Sequence, residues 1–145
     1  MDERFVDTRT GDQDELIDRF SSKYRDGQTA LCQEIEYNVF GCVYGATSWT
    51  NRVEADEVAK RLELGPGKRL LDIGAGTGWP SIYWSEQTGC EAVCIDLPFE
   101  GLQVLRGRAE ADGVGERINV ARANGTGLPF GHGGFDAVFH SDVFC

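Results

Sequence analysis

The most informative part of the sequence is Leu70-Leu71-Asp72-Ile73-Gly74-Ala75-Gly76-Thr77-Gly78. It is an apolar run of strand length that ends in a glycine-rich turn, and Pro80 follows where a helix would begin. Glycines let the backbone bend sharply and approach a ligand without a Cβ in the way. The first amides of the following helix favour an anionic group. The stretch therefore predicts a buried strand, a ligand-binding turn and a helix that runs to about Thr88.

Strands and helices alternate around this turn. A helix that Asn51 caps, with Glu54 three residues on, precedes the turn and ends at Gly65-Pro66-Gly67. Another helix is predicted to end near Gly113. The predicted strands are residues 69–73, 91–95, 117–121 and 135–139. This alternation predicts an α/β fold in which helices cover a parallel sheet and the crossovers are right-handed.

The first 50 residues differ from the rest in composition. Residues 1–30 are polar, with one apolar cluster at Leu16, Ile17 and Phe20 whose spacing suits one helix face. Residues 37–50 mix aromatics with glycine and show no clean period, which predicts a loop or short helical turns. We therefore divide the chain into an N-terminal helical or cap segment, residues 1–50, and an α/β domain, residues 51–145.

A second acid, Asp96, stands at the end of the second predicted strand. A carboxylate at this place in a parallel sheet can accept two hydrogen bonds from a ribose diol. The alternative is an ordinary strand-end aspartate that water solvates. The position of Asp96, one strand after the glycine turn, favours the ribose interpretation.

The composition limits the classes of partner. The net charge is −10, from 14 basic and 24 acidic residues, and no basic stripe offers a surface for nucleic acid. No apolar run reaches the roughly 18 residues of a membrane span, and the charged first ten residues do not resemble a secretory signal. We therefore expect a cytoplasmic protein with no nucleic-acid or membrane partner. The five cysteines lack C-x-x-C spacing and predict buried free thiols in place of a metal site or disulfides.

From about Asn51 onward the chain resembles the class I, Rossmann-like S-adenosylmethionine-dependent methyltransferases. The resemblance implies that the D-x-G-x-G-x-G turn binds the methionine part of the cofactor, with the acid near its amino group. The positions of that turn here are Asp72, Gly74, Gly76 and Gly78. A dinucleotide-binding fingerprint would read G-x-G-x-x-G, and Trp79 stands where its last glycine belongs. The resemblance also assigns Asp96 and Leu97 to the cofactor.

Two later segments extend the resemblance. The segment 123–130 is similar to the family's segment after the third strand, which implies that the Asn124 oxygen and the Gly125 amide meet the adenine. The alternative is that these two residues only make a turn. The segment 135–142 is similar to the family's fourth strand, after which residues lie beside the sulfonium and the methyl acceptor. This implies Ser141 as a cofactor contact and His140 and Asp142 as catalytic candidates, with His140 either a general base or a structural residue.

The N-terminal segment shows a shorter resemblance to small-molecule N-methyltransferases. It rests on Val39-Phe40-Gly41 followed by Ser48. In that subgroup the segment caps the cofactor and helps to form the acceptor pocket, which implies Tyr37, Tyr44 and Trp49 as substrate contacts. The alternative is that these aromatic side chains pack on the edge of the sheet.

Together these features predict a methyltransferase that uses S-adenosylmethionine, needs no metal, and methylates a small molecule by in-line transfer. The alternatives are an NAD-type Rossmann oxidoreductase domain and a non-catalytic S-adenosylmethionine-binding module. The resemblance implies a doubly wound, seven-stranded sheet, of which this sequence supplies four strands before Cys145. We therefore expect a sheet truncated after its fourth strand, in a fragment of a longer protein or in a homo-oligomer that pairs through that strand.

Overall fold

The computed structural model describes residues 11–40, 43, 50–141 and 143. Within these ranges the secondary structure consists of two N-terminal helices followed by an alternating α/β region. The helices are α1 (Gly11–Asp26), α2 (Ala30–Phe40), α3 (Arg52–Arg61), α4 (Ser81–Thr88) and α5 (Phe99–Ala111). The strands are β1 (Arg69–Ile73), β2 (Glu91–Asp96), β3 (Ile118–Arg122) and β4 (Ala137–His140).

The four strands form one parallel sheet in the order β3-β2-β1-β4. This confirms the predicted Rossmann-like α/β architecture, in which flanking helices join parallel strands. β1 lies between β2 and β4, so the glycine turn that follows it emerges at the middle of the sheet. Within the sheet Leu71 lies opposite Val93 on one side and Val138 on the other.

Two apolar clusters cover the two faces of the sheet, because successive side chains of a strand point to opposite faces. The larger cluster joins Leu70 of β1 to helices α3, α4 and α5 and contains the fully buried Trp84. The smaller cluster contains Leu71 and Ile73, packed against Phe130, Phe135 and other residues outside the helices. Both sides of β1 are therefore buried, as expected for a strand inside a parallel sheet.

Local sequence signals fixed the boundaries of several elements. The Asn51 side chain accepts from the Glu54 amide at 3.0 Å, and the Glu54 carboxylate accepts from the Asn51 amide at 2.9 Å, so the predicted capping box is confirmed. β1 has the predicted bounds. β3 begins one residue later than predicted, because the Arg117 amide donates to the Val114 carbonyl in the preceding turn at 2.9 Å.

Other predicted boundaries differ from the structure by more than one residue, and α3 ends at Arg61, before the predicted stop at Gly65. β4 begins at Ala137 in place of Phe135, because the Arg69 amide of β1 donates to the Asp136 side chain at 2.8 Å and not to a backbone carbonyl of β4. Residues 37–40 belong to α2, so the helical alternative holds for this part of the segment, and no glycine or proline interrupts the helix after Ala30. The rest of the predicted loop, apart from residues 43 and 50, lies outside the described residues.

Candidate cofactor site

The carboxyl ends of the strands open onto a cavity of about 370 Å³. A parallel α/β sheet binds ligands at this end, because the loops after adjacent strands converge there. The residues predicted to bind the cofactor all line the cavity with the exception of Gly78. Those that line it are Asp72, Gly74, Gly76, Asp96, Leu97, Asn124, Gly125 and Ser141. The structure thus brings together side chains that are up to 69 residues apart in the sequence, from Asp72 to Ser141.

Backbone hydrogen bonds fasten the glycine turn to the end of β2. The Ile95 carbonyl accepts from the amides of Gly74 and Ala75 at 2.8 and 3.0 Å. Gly74 has a φ of +76°, and a Cβ at this position would collide with the side chain of Val143. The glycine is therefore required both by the left-handed backbone conformation and by the space available.

The structure gives Gly78 a packing role in place of the predicted cofactor contact. Its φ is +103°, and a Cβ would lie 2.5 Å from Cδ1 of Ile82 and 2.9 Å from Cγ of Leu105. Gly78 itself does not line the cavity, although Thr77 and Trp79 on either side of it do. Gly78 is thus needed so that α4 and α5 can pack close to the end of the turn.

Asp96 holds the turn and faces the cavity at the same time. Its Oδ2 accepts from the Gly76 amide at 2.8 Å, and its Oδ1 accepts from the Leu97 amide at 2.8 Å. The Tyr24 hydroxyl lies 3.4 Å from Oδ2. Burial raises the pKa of Asp96, and the three hydrogen bonds oppose that effect. Because a carboxylate offers about four acceptor positions, Asp96 still has capacity for a ligand hydroxyl.

Asp72 is an acid in an almost fully buried position, with 2% of its surface exposed. Its Oδ2 accepts from the Ser81 hydroxyl at 2.6 Å. The pKa of Asp72 is raised to about 7, because burial raises it more than the hydrogen bond from Ser81 lowers it, and the nearby charge of Asp96 also raises it. Ser81 was missed in the sequence, although a serine in the first turn of the helix that follows the glycine turn was a usable signal.

The buried acid makes stability depend on pH. The folded protein holds the Asp72 proton more tightly than the unfolded chain, whose aspartates have the ordinary pKa of 3.8. The stability that Asp72 contributes should therefore fall as the pH rises from 3.8 to about 7, and stay constant above that. The amide side chain of the variant Asp72→Asn cannot ionise. In urea unfolding between pH 5 and 8, we expect the wild type to lose stability relative to Asp72→Asn.

Asp136 provides a matched control, which shows whether the pH dependence of stability comes from the burial of Asp72 or from replacing any aspartate with asparagine. Asp136 accepts from the Arg69 amide at 2.8 Å, and that hydrogen bond lowers its pKa. The difference between the wild type and Asp136→Asn should therefore be flat from pH 5 to 8. Cys94 stays neutral in this range, because burial raises its pKa well above 9.0. A wild-type curve that runs parallel to the Asp72→Asn curve would contradict the prediction.

Asn124 lines the cavity and also makes a turn, so both interpretations of this residue hold in part. Its Oδ1 accepts from the Thr126 amide at 3.0 Å and from the Thr126 hydroxyl at 2.8 Å. An amide oxygen has two lone pairs, and both are directed to Thr126. The expected hydrogen bond from an adenine amino group to this oxygen would therefore have to displace one of them. Gly125 presents its backbone to the cavity without this conflict.

One of the two catalytic candidates at the end of β4, His140, does not lie in the cavity. His140 is exposed and does not line the cavity, whereas its neighbours Phe139 and Ser141 do. The alternation of side chains along a strand explains this, since residues 139 and 141 point to one side and residue 140 points to the other. The structure therefore favours the structural interpretation of His140. Asp142 lies outside the described residues.

The N-terminal segment contributes to the cavity through different residues from those predicted. Tyr37 lies on α2, is 60% exposed and does not line the cavity. Tyr44 and Trp49 lie outside the described residues. The residues of α1 that line the cavity are Gln13, Leu16, Ile17, Phe20, Lys23 and Tyr24. The apolar face of Leu16, Ile17 and Phe20 was a visible signal, but the sequence did not show what it would cover.

The described residues give no sign of a metal site or a membrane helix. They contain no group of three or more histidine, cysteine or acidic side chains that could hold a metal ion. No helix among them has the length and apolar character needed to cross a membrane. Of the cysteines in the described part, Cys90 and Cys94 are buried free thiols as predicted, whereas the free thiol of Cys32 is exposed.

A parallel sheet whose glycine turn and strand-end acids surround one cavity defines a Rossmann-like nucleotide-binding domain. The family model of the methyltransferase domain matches residues 70–145. The chain belongs to this family of methyltransferase domains.

Individual relatives agree with this assignment. The chain is 26% identical to the glycine/sarcosine/dimethylglycine N-methyltransferase of Actinopolyspora halophila over 91% of its own length and 26% of that protein. It is 33% identical to 24-methylenesterol C-methyltransferase 2 of Oryza sativa subsp. japonica over 65% of its length and 26% of that protein. The chain thus spans about a quarter of the length of these curated relatives.

A solved structure shows the same fold. The S-adenosylmethionine-dependent methyltransferase of Thiobacillus denitrificans, in complex with S-adenosyl-L-homocysteine, superposes with a TM-score of 0.56. The alignment covers 62% of this chain and 36% of that one, at 24% sequence identity. At this identity the likeness supports the fold, and the ligand of this chain has to be argued from its own residues.

Proposed function

We propose that this chain binds S-adenosylmethionine and forms the cofactor-binding part of a methyltransferase that acts on a small molecule. The observation that carries the proposal is the pair of acids, Asp72 and Asp96, on neighbouring strands beside the glycine turn in one cavity. The cavity volume of about 370 Å³ lies within the range of small-molecule sites. Residues 1–50 are the cap segment of this proposal, and residues 51–145 are its cofactor-binding domain.

The charges of the cavity suit this cofactor. S-adenosylmethionine carries a sulfonium, an ammonium and a carboxylate together with a ribose diol. Asp72 would take the ammonium, which would favour its ionised form and lower its raised pKa. Asp96 would accept from the ribose diol, and Gly125 would meet the adenine. Lys23 is the only basic side chain among the described residues that line the cavity. It would pair with the carboxylate of the cofactor.

Methyl transfer from this cofactor requires the protein mainly to position the cofactor and the acceptor. When bound, S-adenosylmethionine supplies a methyl group on a good leaving group, and an acceptor displaces it in line. The residues of this chain orient the reactants and exclude water, which supplies much of the rate acceleration in reactions of this kind. Phe139, Ser141 and Val143 are the described residues from β4 onward that line the cavity, so they are the candidates there for contact with an acceptor. Asp142, Tyr44 and Trp49 remain candidates on the sequence alone.

We infer a small acceptor in place of a nucleic acid. The net charge of −10 opposes binding to a phosphate backbone. The two curated relatives named above are an N-methyltransferase and a C-methyltransferase. These names support a small acceptor for this chain, but they differ in the atom that is methylated.

The oxidoreductase alternative fits the cavity less well. NAD would bring a diphosphate with two negative charges to the glycine turn. Asp72 lines the cavity beside the turn, and its negative charge would oppose the diphosphate, whereas Asp96 could accept from the ribose of either cofactor. Trp79 lies at the position of the last fingerprint glycine and packs with its ring 5.4 Å from that of Tyr83, so the close approach that this glycine permits is blocked.

A titration of the purified chain with S-adenosylhomocysteine and with NAD tests the proposal. We expect S-adenosylhomocysteine to bind at least about 100-fold more tightly than NAD in calorimetry, because only the first ligand brings a cation to Asp72. Transfer of a labelled methyl group to metabolites or to nucleic acid would then identify the acceptor class. Equal affinity for the two ligands would contradict the proposal. Binding of S-adenosylhomocysteine without turnover by the full-length protein would indicate a non-catalytic module.

A further inference from the structure

Two glycines on separate elements leave room for one aromatic ring of α1. A Cβ on Gly101 would lie 2.7 and 2.8 Å from Cδ2 and Cε2 of Tyr24, and 3.0 Å from the Gly76 carbonyl oxygen. A Cβ on Gly76 would lie 3.1–3.3 Å from the hydroxyl and ring atoms of Tyr24. Tyr24 is accordingly 5% exposed although it belongs to a largely exposed helix. We call the space between Gly76 and Gly101 the glycine slot.

Gly101 is informative because its backbone does not need a glycine. It lies in the first turn of α5, where alanine is the better helix former. Its φ is not left-handed, in contrast to that of Gly76 at +53°. Gly101 does not line the cavity, so approach to a ligand does not explain it either. The features that explain a glycine at this position are the ring of Tyr24, which is the nearest neighbour of a Cβ here, and the Gly76 carbonyl oxygen behind it.

The contacts around the slot fix α1 against the beginning of α5. The Ser21 hydroxyl donates to Oε2 of Glu100 at 2.6 Å, and Arg25 donates to Oε1 of the same carboxylate at 3.1 Å. Glu100 immediately precedes Gly101, so Tyr24 is placed by bonds one helical turn or less away along α1. With α1 in this position, Phe20 and Lys23 face the cavity.

We propose that Tyr24, seated in the glycine slot, is the positioning residue that makes α1 a wall of the cofactor cavity. This inference rests on the proposed function for the identity of the ligand. The ring sets the position of α1, and α1 then presents its cavity-lining side chains to the cofactor. By linkage, a ligand that contacts α1 must stabilise the docked helix by the same free energy that docking adds to its affinity.

The experiment compares Gly101→Ala with Gly107→Ala in the whole chain. Both replace a glycine of α5 with the better helix former, but a Cβ at Gly107 meets nothing within 4 Å. We expect Gly101→Ala to weaken S-adenosylhomocysteine binding at least about tenfold and to speed tryptic cleavage after Lys23 without ligand. We expect Gly107→Ala to leave both unchanged. Helix content by circular dichroism should be retained in both variants, which separates the effect from unfolding.

Two substitutions of Tyr24 test the ring itself. Tyr24→Ala should weaken S-adenosylhomocysteine binding as Gly101→Ala does. Tyr24→Phe keeps the ring, so it should retain most of the wild-type affinity. Wild-type affinity and wild-type cleavage rates in Gly101→Ala would overturn the inference. If the wild type fails to bind S-adenosylhomocysteine, the proposed function fails. The cleavage rates without ligand still decide whether Tyr24 docks α1.

Discussion

Replacing Asp96 with alanine should weaken binding of S-adenosylhomocysteine by roughly 10- to 150-fold, which corresponds to about 1.5–3 kcal/mol. Asp96 faces the cavity with a carboxylate that retains acceptor capacity after its bonds to the Gly76 and Leu97 amides. Hydrogen bonds from a ribose diol to this charged group would be lost in the variant. The turn would also lose the carboxylate that holds the Gly76 amide. Isothermal titration calorimetry measures the change directly.

The control for this variant is another carboxylate that accepts from a backbone amide. Asp136 holds the Arg69 amide at 2.8 Å, at the opposite end of β1 from the glycine turn. Asp136→Ala should leave the affinity within about twofold of the wild type, since it does not line the cavity. Asp96→Asn, which keeps one of the two oxygens, should fall between wild type and alanine. A folded Asp96→Ala variant with wild-type affinity would exclude Asp96 from the ribose site.

Replacing Trp84 with alanine should lower the free energy of unfolding by about 3–5 kcal/mol. The Trp84 side chain is 0% exposed, and its indole nitrogen donates to the Ala55 carbonyl at 2.8 Å. Its ring packs edge-on against Phe139 with centroids 4.8 Å apart. The truncation would leave a large cavity where α3, α4 and β4 meet. Equilibrium unfolding in urea gives the loss, provided that the transition stays two-state.

Two further variants serve as references for the loss in free energy of unfolding. Trp84→Phe keeps an aromatic ring and removes the indole donor, so it should cost clearly less than alanine. Val53→Ala is a truncation on the 78% exposed surface of α3, and it should change stability by less than about 0.5 kcal/mol. A loss below about 1 kcal/mol for Trp84→Ala would show that the site collapses around the smaller side chain.

The parts of the site that the sequence predicted are those that local rules determine. The bounds of β1, the capping box at Asn51 and the convergence of Asp72 and Asp96 follow from short patterns and from the geometry of parallel strands. About 30 residues of sequence contain all three signals, which are a buried apolar run, a glycine turn and the end of the next strand. The same rules gave the fold class and the order of strands along the chain.

The missed parts depend on contacts between distant residues. Tyr24 and Asp96 are 72 positions apart, and no local pattern indicates that a tyrosine of α1 fits between Gly76 and Gly101. His140 was assigned to the site because the resemblance places residues after the fourth strand there. Successive side chains of a strand point to opposite faces of the sheet. The four-residue strand β4 is too short for its sequence to indicate which residues face the cavity. The raised pKa of Asp72 likewise required its burial to be known.

The hydrogen bonds that join the glycine turn to β2 require one register between β1 and β2. The Ile95 carbonyl and the Asp96 carboxylate hold three successive amides, at Gly74, Ala75 and Gly76, in a single alignment of β1 with β2. Slipping one strand by one residue against the other would separate these partners and turn the inward-facing side chains outward. A chain with mispaired strands would therefore lack the site altogether. Titration of a refolded preparation would then count correctly paired molecules, and the binding stoichiometry becomes a direct measure of folding yield.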